Sequence, residues 1–170
     1  MAKYVKLENG KLKEQGAINA STGATDAAKI AELDSNGRFD SSLMPVGFGS
    51  ETKTIVASEA LSAGDFVNVF NDTGTVKVRK ADASVNSKQA HGFVLASVLS
   101  AASATVYYGN LNNQVTGFTV GAELYLSDTV PGAATATPVT TGAGKISQRV
   151  GVATATGEIL VEIQQPIEIA

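Results

Sequence analysis

Short runs of β-branched and aromatic residues, separated by turn-forming residues, fill positions 92–169 of the chain. The runs occupy 93–96, 104–108, 124–126, 149–153 and 159–163, and Gly, Pro or Asn stands in most of the gaps. Runs of this length with such breaks are typical of an antiparallel β-barrel or β-sandwich. The sequence therefore predicts an all-β fold without a long helix in this part of the chain.

Similar segments precede this region at 52–57, 63–70 and 75–80. In the last of them Val76 and Val78 alternate with Lys77 and Arg79. Since successive side chains of a strand point to opposite faces, the two valines should face inward and the two charged residues outward. We predict that the β-barrel or β-sandwich body spans residues 51–170.

Two sequence patterns recur at nearly equal spacing within this body. Residues 63–69 resemble 120–126 at an offset of 121 − 64 = 57, and 90–95 resemble 149–153 at an offset of 151 − 92 = 59. The recurrence indicates a duplicated β-unit that folds into one barrel with approximate two-fold symmetry. Chance similarity between glycine-rich strands is the alternative explanation.

Residues 1–50 are predicted to form an extended N-terminal arm. Asn9-Gly10 lies between two alternating runs, and this dipeptide favours a tight hairpin because both residues tolerate positive φ. A hairpin with so little apolar surface is marginal alone, so we expect it to order against a partner or the body. A frayed terminus is the alternative. Pro45 and Gly47 predict a linker over 41–50, where the arm ends.

The middle of the arm allows two interpretations. Thr25 or Asp26 could cap a short helix that runs to Leu33. The Asn36-Gly37 dipeptide instead favours a hairpin whose first strand covers 29–33, and the turn chemistry of this dipeptide makes the hairpin the preferred prediction.

Composition excludes several classes of protein. The 170 residues include no cysteine, which rules out disulfides and thiolate metal sites. A net charge of −3 gives no whole-molecule case for nucleic-acid or membrane binding. No apolar run approaches the roughly 20 residues of a membrane helix. The first residues lack the apolar segment of a signal peptide, so we expect a protein used without secretion.

No residue pattern predicts catalysis, a cofactor or a metal. His91 is the single histidine, no G-x-S-x-G motif accompanies it, and we predict a structural role. Residues 142–147 lack the first Gly and the Ser/Thr of a phosphate-binding loop, so a hairpin turn is expected. Residues 34–40 lack the ligand set of a calcium loop, so a turn is expected there too. Scattered acidic residues disfavour a hydrolase, and we predict that the chain is not an enzyme.

Several stretches, taken in order, carry a resemblance to a known family. They are 62–67, 81–84, 91–94, 116–127, 131–132, 150–153 and 163–167. This order resembles the small β-rich decoration (cement) and head-fibre proteins of tailed bacteriophages. Residues 24–45 also resemble linker modules in phage fibre and decoration proteins. The resemblance covers roughly residues 17–167, and similar stretches occur in tail-fibre and baseplate proteins.

The resemblance implies a virion structural protein, made in the cytoplasm of the bacterial host, that binds the major capsid protein on the capsid exterior. It implies a homotrimer that stabilises the shell, with no cofactor and no nucleic-acid or membrane partner. From charge and lack of core we predict capsid contact through one set of arm residues. They are Lys3, Tyr4, Lys6, Leu7, Lys11 and Lys13.

The alternative within the same resemblance is a head-fibre or tail-fibre protein whose body binds a cell-surface glycan. Exposed aromatic side chains near the loops at 108–118 and 127–135 would favour this second function.

Overall fold

The computed structural model describes residues 2–44 and 51–170 of the chain. The chain divides into an N-terminal unit, residues 1–49, and a C-terminal unit, residues 50–170, and each is described by itself. Apart from two short 3-10 turns at Ala24–Asp26 and Ser41–Leu43, the regular structure of the described residues is all β, which confirms the predicted fold class. The predicted linker positions Pro45 and Gly47 lie outside the described residues.

The N-terminal unit begins with an antiparallel hairpin of β1 (Lys3–Glu8) and β2 (Lys11–Gly16). Asn9 and Gly10 connect the strands with φ angles of 52° and 75°. Positive φ at both central residues is the geometry that Asn-Gly favours, because it matches the twist of the flanking strands. The predicted hairpin is confirmed.

The segment after the hairpin departs in part from its prediction. Ile18 and Ala31 form a single parallel bridge in place of a strand over 29–33. The helix alternative is wrong as well, because Ala27 leaves the helical conformation with a ψ of 140° after Asp26, and Ala28 follows with a φ of 64°. The predicted turn is present: the backbone N–H of Asp34 donates to the carbonyl of Arg38 at 2.8 Å.

Five strands of the C-terminal unit close into a barrel. They are β3 (Thr52–Ala57), β4 (Phe66–Asp72), β5 (Thr75–Lys80), β6 (Gly92–Phe93) and β7 (Ser103–Tyr107), in the order β3-β5-β4-β6-β7. All neighbours are antiparallel except β3 and β5, whose parallel pairing completes the ring. Closure leaves no unpaired edge among these strands.

The predicted inward alternation of β5 holds at one valine and fails at the other. Val78 is fully buried, whereas Val76 is 52% exposed. β3 pairs with β5 only at Lys77 and Val78, so Val76 lies beyond the rim of the barrel, in the part of the β4–β5 hairpin that projects from it.

The remaining strands form a second sheet and a small two-stranded sheet. The second sheet has the order β10 (Ala134–Thr135), β9 (Glu123–Leu126), β12 (Arg149–Ala155), β13 (Glu158–Val161) and β8 (Asn110–Asn112). The small sheet pairs β11 (Ile146–Ser147) with β14 (Ile167–Glu168).

The two larger sheets are copies of one β-unit. Opened between β3 and β5, the barrel has the strand order β5-β4-β6-β7-β3, and the second sheet has the order β10-β9-β12-β13-β8. Position by position, the strands of both sheets follow one another along the chain in the same way: β3 corresponds to β8, β4 to β9, β5 to β10, β6 to β12 and β7 to β13. A glycine turn precedes β4 and β9, with φ of 90° at Gly64 and 82° at Gly121. Gly64 N–H donates to the Val94 carbonyl and Gly121 N–H to the Ala153 carbonyl, both at 2.8 Å. The predicted duplication is confirmed.

A second glycine also occupies the same position in both copies. Gly92 pairs with Val67 in the barrel, and Gly151 pairs with Leu124 in the second sheet. A Cβ at Gly92 would lie 2.5 Å from the Tyr107 carbonyl oxygen, and a Cβ at Gly151 would be closer still to that of Leu160. At both positions the neighbouring backbone approaches too closely for any side chain.

The predicted merging of both copies into one barrel is wrong, because the first copy closes alone and the second stays open. The glycine turn of the first copy bridges the ends of the open sheet. The Asn112 side-chain amide donates to the Gly64 carbonyl at 2.9 Å, and Phe66 N–H donates to the Gly132 carbonyl at 2.7 Å. Asn112 ends β8 and Gly132 precedes β10, so the segment 64–66 lies between these two strands, which do not pair with each other.

Two hydrophobic cores result. The barrel interior holds one, built from Ile55, Ala57, Leu61, Val67, Val78, Val94, Ala104 and Val106. The other joins the outer face of the first copy to the second copy and includes Phe66, Phe93, Leu124, Leu126, Ile146, Val150 and Ile159. Burial of each large side chain stabilises the fold by about 1.5–3 kcal/mol, so the shared core binds the copies into one body.

Gly92→Ala and Gly151→Ala should each lower the free energy of unfolding by about 1–3 kcal/mol, because the added methyl overlaps a carbonyl oxygen. Gly109→Ala is the matched control, since nothing lies within 4 Å of its Cβ position. Urea unfolding measures all three. An unchanged midpoint for Gly92→Ala or Gly151→Ala would contradict the close backbone approach.

Candidate interaction surfaces

One face of the β1–β2 hairpin exposes three large apolar side chains beside the Lys3–Glu14 ion pair. Val5, Leu7 and Leu12 are 64%, 70% and 76% exposed. Leu7 pairs directly with Leu12, and Val5 is two residues from Leu7, so all three side chains project from the same side of the hairpin. We call this surface the open face. Three adjacent large apolar side chains left in water mark a surface suited to a partner.

The opposite face of the hairpin is partly covered. Tyr4 and Lys6 are half-buried, and the Tyr4 hydroxyl accepts a hydrogen bond from the Ile30 N–H at 3.3 Å. This contact lies inside the N-terminal unit. The hairpin therefore uses its polar face for internal packing and leaves its apolar face outside.

The structure divides the six predicted contact residues between the two faces. Lys3 and Leu7 lie on the open face. The others occupy the opposite face, and they are Tyr4, Lys6, Lys11 and Lys13. The prediction omitted Val5 and Leu12. Both could have been found from the two-residue alternation around Asn9-Gly10, which places them beside Leu7.

Ion pairs inside the hairpin engage much of its positive charge. Lys3 lies 2.5 Å from Glu14, and Lys13 lies 3.0 Å from Glu8. The hydrogen bond and positive charge of Lys13 hold the pKa of Glu8 below its ordinary value. Residues 2–44 contain six Lys or Arg and six Asp or Glu, so their net charge is zero. These pairs leave apolar contact as the main attraction that the open face offers.

The rest of the N-terminal unit also exposes apolar side chains. Ile30, Leu33 and Phe39 are each more than half exposed, whereas Ala17 is the buried hydrophobic residue within the described part of this unit. Local hydrogen bonds hold the chain here. The Asp26 carboxylate accepts hydrogen bonds from Lys29 and Thr22, and these bonds, Lys29 first, lower the pKa of Asp26 to about 2. The unit is ordered by turns and pairs and presents its apolar residues outward.

In the C-terminal unit, His91 makes a backbone contact. Its Nδ1 accepts a hydrogen bond from the Val69 N–H at 3.0 Å. Burial lowers the pKa of His91 below its ordinary value of 6.5, so the ring is neutral at pH 7. A ring nitrogen that accepts from the backbone fixes the tautomer, with the proton on Nε2.

The two loops considered for ligand binding are turns, but the hairpin expected over 142–147 is wrong, because β11 after the turn pairs with β14 and not with β10. Lys145 N–H donates to the Gly142 carbonyl at 3.1 Å, and the Lys145 ammonium pairs with Asp128 at 2.8 Å. The Asp34 carboxylate accepts the N–H groups of Asn36 and Arg38 at 2.8 and 2.9 Å. Among residues 2–44 and 51–170, no three His, Cys, Asp or Glu side chains are grouped to hold a metal ion. No helix in the same residues could cross a membrane.

Lowering the pH below about 6.5 should destabilise the fold through His91. Between its depressed folded pKa and the unfolded value of 6.5, the unfolded chain binds a proton that the folded chain does not. Urea midpoints at about pH 7.5 and about pH 5.5 test this, because most carboxylates titrate lower. His91→Gln, which cannot titrate, should show a smaller loss. Equal losses in both proteins would contradict the assignment.

No protein-family model, no curated protein and no solved structure matches the chain.

Proposed function

We propose that the protein is a non-enzymatic virion protein that decorates the outer surface of a tailed-phage capsid as a homotrimer and stabilises the shell. The open face is the observation that carries this proposal. In it Val5, Leu7 and Leu12 form an apolar surface on a unit with almost no core of its own. The resemblance described above supplies the identity of the partner, the major capsid protein.

Apolar burial favours attachment through this surface. Transfer of three such side chains from water into a contact contributes roughly 5 kcal/mol. One contact of that size is weak, but three hairpins on one trimer act together, because each binding event after the first is intramolecular. A shell protein can thus be held firmly by small individual contacts.

The division of the chain also supports the proposal. The C-terminal unit has two cores of its own, whereas the N-terminal unit exposes its large apolar side chains. A self-sufficient body joined to a unit that needs a partner is the organisation expected of a protein that decorates a larger surface.

The triple variant Val5→Ser, Leu7→Ser, Leu12→Ser should lose capsid affinity by on the order of a thousandfold, because it removes the apolar surface of the open face. Binding to virions assembled without this chain, followed by sedimentation, measures the effect. The matched control is Leu99→Ser, Val120→Ser, Val130→Ser, which changes three exposed apolar residues of the C-terminal unit. If both triple variants decorate capsids like the original chain, attachment through the open face is wrong.

Light scattering should give a solution mass three times the 17.4 kDa of one chain. A monomer that decorates capsids fully would contradict the preassembled trimer and leave attachment through the open face intact.

A further inference from the structure

A groove of about 600 Å³ opens in the C-terminal unit where the two copies of the β-unit meet. The first copy contributes one wall with Gln89, His91 and Tyr108. The chain that follows β13 contributes the other wall with Gln164 and Gln165. The volume lies within the range of about 300–1,000 Å³ that small-ligand sites occupy, and junctions between structural units are their frequent location.

Several polar groups of this groove have no protein partner. The side-chain amides of Gln89, Gln164 and Gln165 and the hydroxyl of Tyr108 make no hydrogen bond within the described residues. His91 uses Nδ1 for the Val69 N–H and keeps a proton on Nε2 as a donor. Amides and hydroxyls offer donors and acceptors side by side. The groove thus presents mixed hydrogen-bonding groups to a ligand.

The groove also has aliphatic lining residues. Val69, Val161 and Pro166 line it together with the polar side chains. Aliphatic lining with a half-buried tyrosine ring suits a ligand that has a C–H face as well as polar edges.

A second depression of about 500 Å³ lies beside the first. The two share Glu162, Gln164 and Gln165, and the second adds Tyr125 and Arg149. Two adjacent depressions offer room for a ligand of more than one ring.

The charges of the second depression disfavour an anionic ligand. Arg149 lies 3.1 Å from Glu162 and 3.5 Å from Glu123, so two carboxylates offset one guanidinium. The net charge of this group is −1, and the neutral His91 adds none. A local negative charge repels phosphate, sulfate or carboxylate groups.

The walls of the groove are held in place before any ligand arrives. The buried Gln148 amide donates to the carbonyls of Ala90 and Gln164 at 3.0 and 2.9 Å. These residues lie in opposite walls. Preorganised walls lower the ordering cost of binding.

We infer that this groove binds a neutral oligosaccharide. Sugar hydroxyls both donate and accept, which matches the free amides, the Tyr108 hydroxyl and His91 Nε2, while the C–H face of a sugar ring matches the aliphatic lining residues. This binding function goes beyond capsid attachment and uses no residue of the open face.

The test is an NMR titration of the full ¹⁵N-labelled chain with lactose, maltotriose and diacetylchitobiose, and with sialyllactose as the anionic probe. At least one neutral probe should shift the amides of His91 and Gln165 with millimolar affinity. Tyr108→Phe with Gln165→Ala should weaken that binding about tenfold, since it removes two hydrogen-bonding groups.

The matched control is Tyr107→Phe with Gln114→Ala, the same two changes at positions that do not line the groove. It should bind as the original chain does. Absence of shifts with all neutral probes, a preference for sialyllactose, or equal weakening in both double variants would each overturn the proposal. None of these results depends on the capsid, so the failure of one proposal leaves the other standing.

Discussion

The buried amide of Gln148 hydrogen-bonds one half of the C-terminal unit to the other. Its Oε1 accepts the Ala90 N–H at 2.7 Å, and its Nε2 donates to the carbonyls of Ala90 and Gln164. An unpaired backbone group in this position would cost about 1–3 kcal/mol, so the amide satisfies groups that no strand reaches. The shared core holds the copies together without direction, whereas directed hydrogen bonds such as those of Gln148 and Asn112 fix their relative placement. Gln148 also lines the groove between the copies and bonds to Ala90 and Gln164, two further lining residues.

The two copies of the β-unit differ in closure, since one forms a barrel and the other an open sheet, and the difference has a local cause. The first copy closes because β3 reaches β5. The second cannot close in the same way, because the turn at Gly64 bonds to Asn112 on one side while Phe66 bonds to Gly132 on the other. The turn at Gly121 has the same shape but makes no equivalent link between copies. Units with the same strand order thus acquire distinct structures within one body.

Sequence reasoning succeeded where the cause is local. Asn9-Gly10 predicts its hairpin because the two residues favour the needed backbone angles, and the repeated glycine turns predict the duplication because Gly64 and Gly121 stand at the same step of the same unit. It failed where residues distant in the sequence decide whether a side chain is buried. The exposure of Val76 depends on where the barrel rim falls.

The candidate sites differ in the same way in how far the sequence predicts them. The open face was partly predictable, since Leu7 was chosen and its neighbours Val5 and Leu12 follow from alternation. The groove was not, because it joins Tyr108 to Gln164 across 56 positions (164 − 108) and no pattern in either segment points to the other.

The neutrality of the N-terminal unit has a consequence for how a decorated shell would respond to its surroundings. A contact built on lysines would weaken as salt screens it. A contact built on Val5, Leu7 and Leu12 would be nearly indifferent to salt and would weaken on cooling instead, because the hydrophobic effect fades at low temperature. Low temperature, more than high salt, would therefore weaken attachment through the open face.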